Sequence, residues 1–228
     1  MYYEVQVENH MIEREMYYKD TMILRYKISY PQFRSAQYPS SVAAISAFCR
    51  AKALAFRRYC ERELYSMAVK EYEYSVANGF PVRPFEAEMA YNVTYNQNCA
   101  LSVYFDRYQY TGGAHGSTTR DSRSWNVRTG RRLTLRQLFP YSLNYREFII
   151  HTINRQIAAQ IQAGNNVYFD NYEQLTAENF NPESFFLTPE GLAIYYQQYD
   201  IAPYSTGLPV FIIPYEEGRI MLPPCPRR

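Results

Sequence analysis

Pro39-SSVAAISAFCRAKALAFRRYCERELYSMAVKEYEYSVANGF-Pro81 is the stretch that decides the fold. A proline and two serines open it like a helix N-terminus. Asn78-Gly79 and then Pro81 close it, because glycine accepts a left-handed cap and proline cannot continue a helix. Between these signals Ile45, Phe48, Cys49, Phe56, Tyr59, Cys60, Met67 and Tyr74 recur in threes, fours and sevens, with gaps at Lys52 and Glu63. The spacing predicts one long helix over about 41–77 with an apolar stripe lying across a sheet. Arg50, Arg57, Arg58 and Arg62 interleave with Glu61, Glu63, Glu71 and Glu73, the pattern of a solvated face rather than of a basic binding surface.

Working outward, residues 3–7 and 22–30 alternate and are rich in β-branched and aromatic types, so they read as strands, with polar turns at Asn9-His10 and Lys19-Asp20. On the other side, 88–95 and 100–110 read as strands rich in Tyr, Val and Phe. A corner at Gly112-Gly113-Ala114-His115-Gly116 leads to a strand near 118–127 and a turn at 128–131. Asn144 with Glu147 resembles a capping box for a second helix over about 145–163, whose Ile149, Ile153, Ile157 and Ile161 form an apolar row. Residues 191–199 and 209–214 read as strands and 223–228 as an extended tail. This order lacks the regular alternation that builds doubly wound parallel sheets, so the expected class is α+β, with the two helices packed on antiparallel sheets. Two β-α-β halves, 1–117 and 118–228, are expected to pack as one globule.

With 47% apolar and 20% charged residues among 228, the chain can bury enough surface to offset the entropy of ordering. A formal net charge of +2 gives none of the basic excess that phosphate neutralisation favours, so nucleic acid is a poor partner. Apolar runs such as 42–45 and 210–213 fall far short of the roughly 20 residues of a membrane span. The start of the chain lacks the basic and apolar regions of a secretory signal. Either the protein is cytoplasmic or a signal or anchor was removed from it. Four cysteines leave the compartment open. Cys49 and Cys60 lie about 16 Å apart along the helix, beyond disulfide reach. An exported chain would pair Cys49 with Cys99 and Cys60 with Cys225, or the converse; the reading preferred here is reduced, buried thiols.

Chemistry is hard to find. Of the three histidines, His151 stands on the second helix near Glu147 and His10 beside Asn9, neither with metal-ligand spacing. No nucleophile elbow, zinc pair or phosphate loop occurs. His115 follows a Tyr-rich strand with Asp106 and Asp121 near in sequence. A hydrolytic or metal site there competes with a histidine bonded to backbone in a tight corner, and the latter is preferred. No catalytic residue, metal or cofactor is therefore expected. Tyrosine is the unusual component, with 25 residues. It offers rigid contact area with a polar tip, suited to protein or glycan recognition.

Three segments, Tyr108-QYTGGAH-Gly116, Thr129-GRRLTLRQL-Phe139 and Thr188-PEG-Leu192 followed by Tyr199-DIAPYST-Gly207, together resemble the extracytoplasmic domain pair of the RsiV and PdaC type. That pair occurs in the sensor region of a lysozyme-binding anti-sigma factor and in the non-catalytic region of a peptidoglycan deacetylase. The resemblance implies an α+β binding module of the cell envelope. The sequence shows no sigma-binding segment and no deacetylase domain with its metal ligands, so only binding is expected to carry over. The implied partner surface is Tyr199, Pro203, Tyr204 and Gly207, with Tyr108 and Tyr110 beside a structural corner at Gly112, Gly113, His115 and Gly116. The expected partner is a lysozyme-like protein or, in the alternative, a cell-wall glycan. The implied place is extracytoplasmic, with a cytoplasmic homologue as the other possibility.

Overall fold

The computed structural model describes residues 5–217 and 220–225. Residues 3 and 4 of the expected first strand and 226–228 of the expected tail lie outside them. In chain order the elements are β1 (Gln6–Tyr18), β2 (Thr21–Arg34), α1 (Pro39–Tyr59), a π-turn (Cys60–Leu64), α2 (Tyr65–Asn78), β3 (Phe85–Gln97), β4 (Ala100–Tyr110) and β5 (Ser117–Asn126). There follow a 3₁₀ turn (Leu135–Leu138), α3 (Tyr145–Gln162), α4 (Tyr172–Glu178), β6 (Phe185–Leu187), β7 (Gly191–Tyr195), a 3₁₀ turn (Tyr204–Thr206) and β8 (Val210–Pro214). The class is α+β. One sheet has the order β1-β2-β3-β4-β5 and the other β6-β7-β8.

The larger sheet is mixed rather than wholly antiparallel. β1 and β2 form an antiparallel hairpin turned at Lys19 and Asp20, both at positive φ, the two-residue turn whose twist suits a hairpin. β2 and β3 run parallel, Leu24 opposite Phe85 through Ile28 opposite Met89. A parallel pair needs a long crossover, and the helical segment between these strands supplies it. β1 is also far longer than expected. His10 stands within it, opposite Tyr30 and ring against ring with it at 5.5 Å, not in a turn. The many charges of β1 hid its alternation, because an edge strand buries little of either face.

Two compact units divide the described chain. The first comprises Val5–Tyr91 and Phe105–Thr119. Its core includes Ile23, Leu24, Tyr26 and Ile28 of β2 beneath Val42, Ile45, Cys49, Ala53 and Phe56 of α1. The predicted stripe holds as far as Cys60 except at Phe48 and Tyr59. Met67 and Tyr74 are then exposed, and Leu64, Ala68 and Ser75 are buried instead. The π-turn is the reason. It adds one residue to a turn, so every later buried position moves one place along. The helix ends as expected, with Gly79 at φ 69° and Phe80 N donating to Ser75 O at 2.8 Å.

The second unit comprises Asn92–Tyr104 and the described residues from Arg120 onward. Asn144 caps α3 by accepting from Glu147 N, and Ile149, Ile153 and Ile157 of α3 pack with Leu192, Ile194, Phe211 and Ile213. Gly191 admits no side chain, since a Cβ there would meet Ile213 O at 2.2 Å. Cys99 is joined to Cys225, so neither pairing expected for an exported chain forms. Cys49 and Cys60 remain free and buried, and burial pushes each thiol up to about 12. Two cysteines are thus paired and two free, an outcome between the fully paired and the fully reduced expectations.

Candidate functional site

The segment after β7 turns sharply because its backbone is fastened from several sides. Asp200 Oδ2 accepts from Gln197 N at 2.7 Å, and Asn179 Nδ2 donates to Asp200 O at 2.8 Å. Phe169 N donates to Ile201 O at 3.1 Å, and the Thr206 hydroxyl donates to Val167 O at 3.1 Å. Ile201 and Ala202 are buried and anchor the loop in the core. Tyr199 sits at its tip with φ 69°, a left-handed conformation costly for a residue with a Cβ, and is 56% exposed. Pro203 precedes the short 3₁₀ turn of Tyr204–Thr206, and Gly207, at φ 73°, releases the chain from it. The rings of Tyr199 and Tyr204 meet at 6.1 Å with a 34° tilt.

The loop is therefore a rigid mount for two adjacent aromatic rings. Its base depends on residues that no sequence motif marked. Arg120 N donates to Gln197 Oε1 at 2.9 Å, and Gln197 Nε2 donates back to Arg120 O at 2.7 Å. The Arg120 guanidinium lies 3.7 Å from the centre of the Tyr104 ring and near Tyr195 and Phe186. Such cation–π stacking holds Arg120 in place. Asp200 stood within the quoted motif, where nothing distinguished it from its neighbours. Burial lifts its carboxyl above the ordinary aspartate range, and the bond from Gln197 N opposes this.

The other candidates belong to the first unit. Tyr110 OH donates to Gly113 O at 3.1 Å across the glycine corner, where Gly112 and Gly113 have φ near 90°. A Cβ on Gly116 would strike the Tyr108 ring at 2.4 Å and Gln109 O at 2.6 Å, so this position requires glycine. Tyr108 borders a groove with Glu13, Arg25, Lys27, Glu86 and Glu88. His115 is exposed, and its Nδ1 lies 2.9 Å from Gly116 O. Among the described residues no three His, Cys, Asp or Glu side chains gather as a metal site.

The family described as Deacetylase PdaC matches residues 18–118, and the family described as Protein of unknown function (DUF3298) matches residues 137–216. The chain carries a PdaC/RsiV-like domain pair. The PdaC-like match takes in the glycine corner and the DUF3298 match the Tyr199–Gly207 loop. A DUF3298 protein of Bacteroides fragilis NCTC 9343 has the same fold, with a TM-score of 0.66, 18% identity, and coverage of 95% of this chain and 93% of its own. One of Pseudomonas aeruginosa PAO1 aligns at a TM-score of 0.66 and 17% identity, covering 98% of each chain. No curated protein matches the chain. The resemblance suggests an extracytoplasmic domain, and no helix among the described residues is long and apolar enough to cross a membrane.

Proposed function

We propose that this PdaC/RsiV-like pair is a non-catalytic binding module of the cell envelope, and that its Tyr199–Gly207 loop recognises a lysozyme-like protein. The observation that carries this reading is the strained, exposed Tyr199, held against Tyr204 on a loop anchored by Ile201 and Ala202. A recognition loop binds tightly when its aromatic anchors are fixed before the partner arrives, because little side-chain entropy is then lost. Backbone strain in a non-glycine residue persists only where its surroundings fix it, and outside turns it clusters at ligand-binding sites. The Cys99–Cys225 bond supports an extracytoplasmic setting, since disulfides persist in oxidising compartments.

The test is calorimetry against a panel of lysozymes with wild-type protein and the Tyr199→Ala/Tyr204→Ala double variant. Binding by wild type, weakened at least tenfold in the variant at unchanged melting temperature, is the expected result. A cell-wall glycan is the second reading, favoured by the same two ring faces, which could stack on sugars. Retention on insoluble peptidoglycan with no heat from any lysozyme would transfer the function to that ligand.

A further inference from the structure

β1 is an edge strand of 13 residues, paired on one side by β2 and on the other by no described strand. Open edges of this length normally carry charged side chains, lysine above all, or proline or a bulge that discourages pairing with another chain. Of the charges on β1, Glu8, Glu13 and Arg14 are taken up by Arg34, Lys27 and Glu61 of the same unit. Residues 6–18 hold neither lysine nor proline, and the register irregularity near Met16 and Tyr17 leaves Ile23 of β2 unpaired while β1 runs on regularly. The far strand of the sheet is treated differently. Trp125 of β5 bridges Arg132 of the chain that folds back beside it, and Leu133 N donates to Ser124 O at 2.8 Å.

The outward face of β1 also exposes apolar groups without cover. Val7 is 41% exposed, Met11 53% and Tyr17 54%. The sequence of β1 suits an antiparallel copy of itself. Its midpoint is Ile12, so a copy related by a twofold axis there pairs all 13 residues, Gln6 against Tyr18 at either end. On the outward face this register sets Val7 against Tyr17, Asn9 against Glu15 and Met11 against Glu13. On the other face it sets Glu8 against Met16 and His10 against Arg14. No two carboxylates stand directly opposite; the two copies of Glu13 come diagonal to each other across the axis, each paired with its own Lys27 at 3.4 Å, and the two exposed apolar ends meet. Directly opposed side chains approach to about 5 Å, close enough for these choices to matter energetically. We infer that the β1 edge is a homodimer interface, two copies of this chain joining their sheets antiparallel about Ile12. This closed, isologous contact uses none of the Tyr199 loop and stands apart from the binding reading.

The inference is tested by light scattering after size exclusion, over a range of concentrations. Wild type should climb from its single-chain mass of 27.0 kDa towards twice that value. Val7→Glu/Tyr17→Glu and Val7→Lys/Tyr17→Lys each set like charges in opposition and should stay at single-chain mass where wild type is doubled. An equimolar mixture of the two should recover the doubled mass. Asn9→Cys/Glu15→Cys supplies an independent reading, because oxidation should link two copies covalently if the register is right. Circular dichroism verifies that each variant is folded. A wild-type protein of single-chain mass at every concentration, or a dimer that both charged variants leave intact, would overturn the inference.

Discussion

Asp200 shows how one side chain can hold a loop at an energetic cost. Its carboxylate receives Gln197 N at the foot of the Tyr199 tip, yet burial disfavours the charge it carries there. A carboxyl whose folded pKa is raised binds its proton more tightly in the folded state. Stability from this group therefore rises as pH falls from neutral through the raised value and levels off below the ordinary aspartate range. Asp200→Asn keeps an oxygen for Gln197 N and removes the titration. The stability of wild type minus that of the variant, from urea unfolding at a series of pH values, should move in favour of wild type as pH falls through that window. A difference flat with pH would refute the account. At this scale the candidate loop was legible only through resemblance. Tyr199, Pro203, Tyr204 and Gly207 were marked by a motif, whereas Arg120 and Gln197 act through backbone and ring contacts across 77 positions that no local pattern encodes.

Among elements, the π-turn is the most consequential. It moves the buried stripe by one residue and sets Glu61 toward the sheet, where Tyr26 OH donates to it at 2.8 Å and Arg14 Nη1 at 3.1 Å. Burial pushes the Glu61 carboxyl up, but the bonds from Tyr26 and Arg14 outweigh it and leave the group below its ordinary range. The same carboxylate, after burial, helps hold the Tyr26 hydroxyl up to about 12. Glu61 thus ties the helix to both β1 and β2. Hydrogen bonds to charged groups contribute about 1.5–3 kcal/mol, and partial solvent screening here brings the expected loss in Glu61→Gln to about 1 kcal/mol by urea unfolding. That loss should shrink as pH falls through the lowered pKa, where wild type also becomes neutral. Helix limits were readable because proline, serine and glycine signal them chemically. The face was misread beyond Cys60 because a period of 3.6 assumes an unbroken α-helix, and the extra residue left no compositional trace. The parallel pairing of β2 and β3 was missed although a β, α, β order permits it, since which strands become neighbours is set by packing and not by local pattern.

Over the whole chain, the division into two units can be tested through one covalent bond and one fluorophore. Cys99 and Cys225 lie 126 positions apart, and both belong to the second unit. The chain that returns to Cys225 packs on the core of that unit, with Ile220 buried and Met221 N donating to Leu138 O at 2.8 Å. Closing so long a loop removes about 5 kcal/mol of unfolded-state entropy in the chain model, and removal of natural disulfides commonly costs about 2–5 kcal/mol. The single tryptophan, Trp125, is buried in this same unit, so its emission reports on the unit that the bond closes. Far-ultraviolet circular dichroism records both units, including the long helix of the first. Reduction, or Cys225→Ser, should lower the melting temperature seen by tryptophan emission by several degrees. If the units unfold independently, the dichroism should resolve on reduction into one transition that keeps its midpoint, from the first unit, and one that falls with the tryptophan signal, from the second, which also holds α3 and α4. Coincident probes at a lowered temperature would instead mean that the units unfold as one cooperative body.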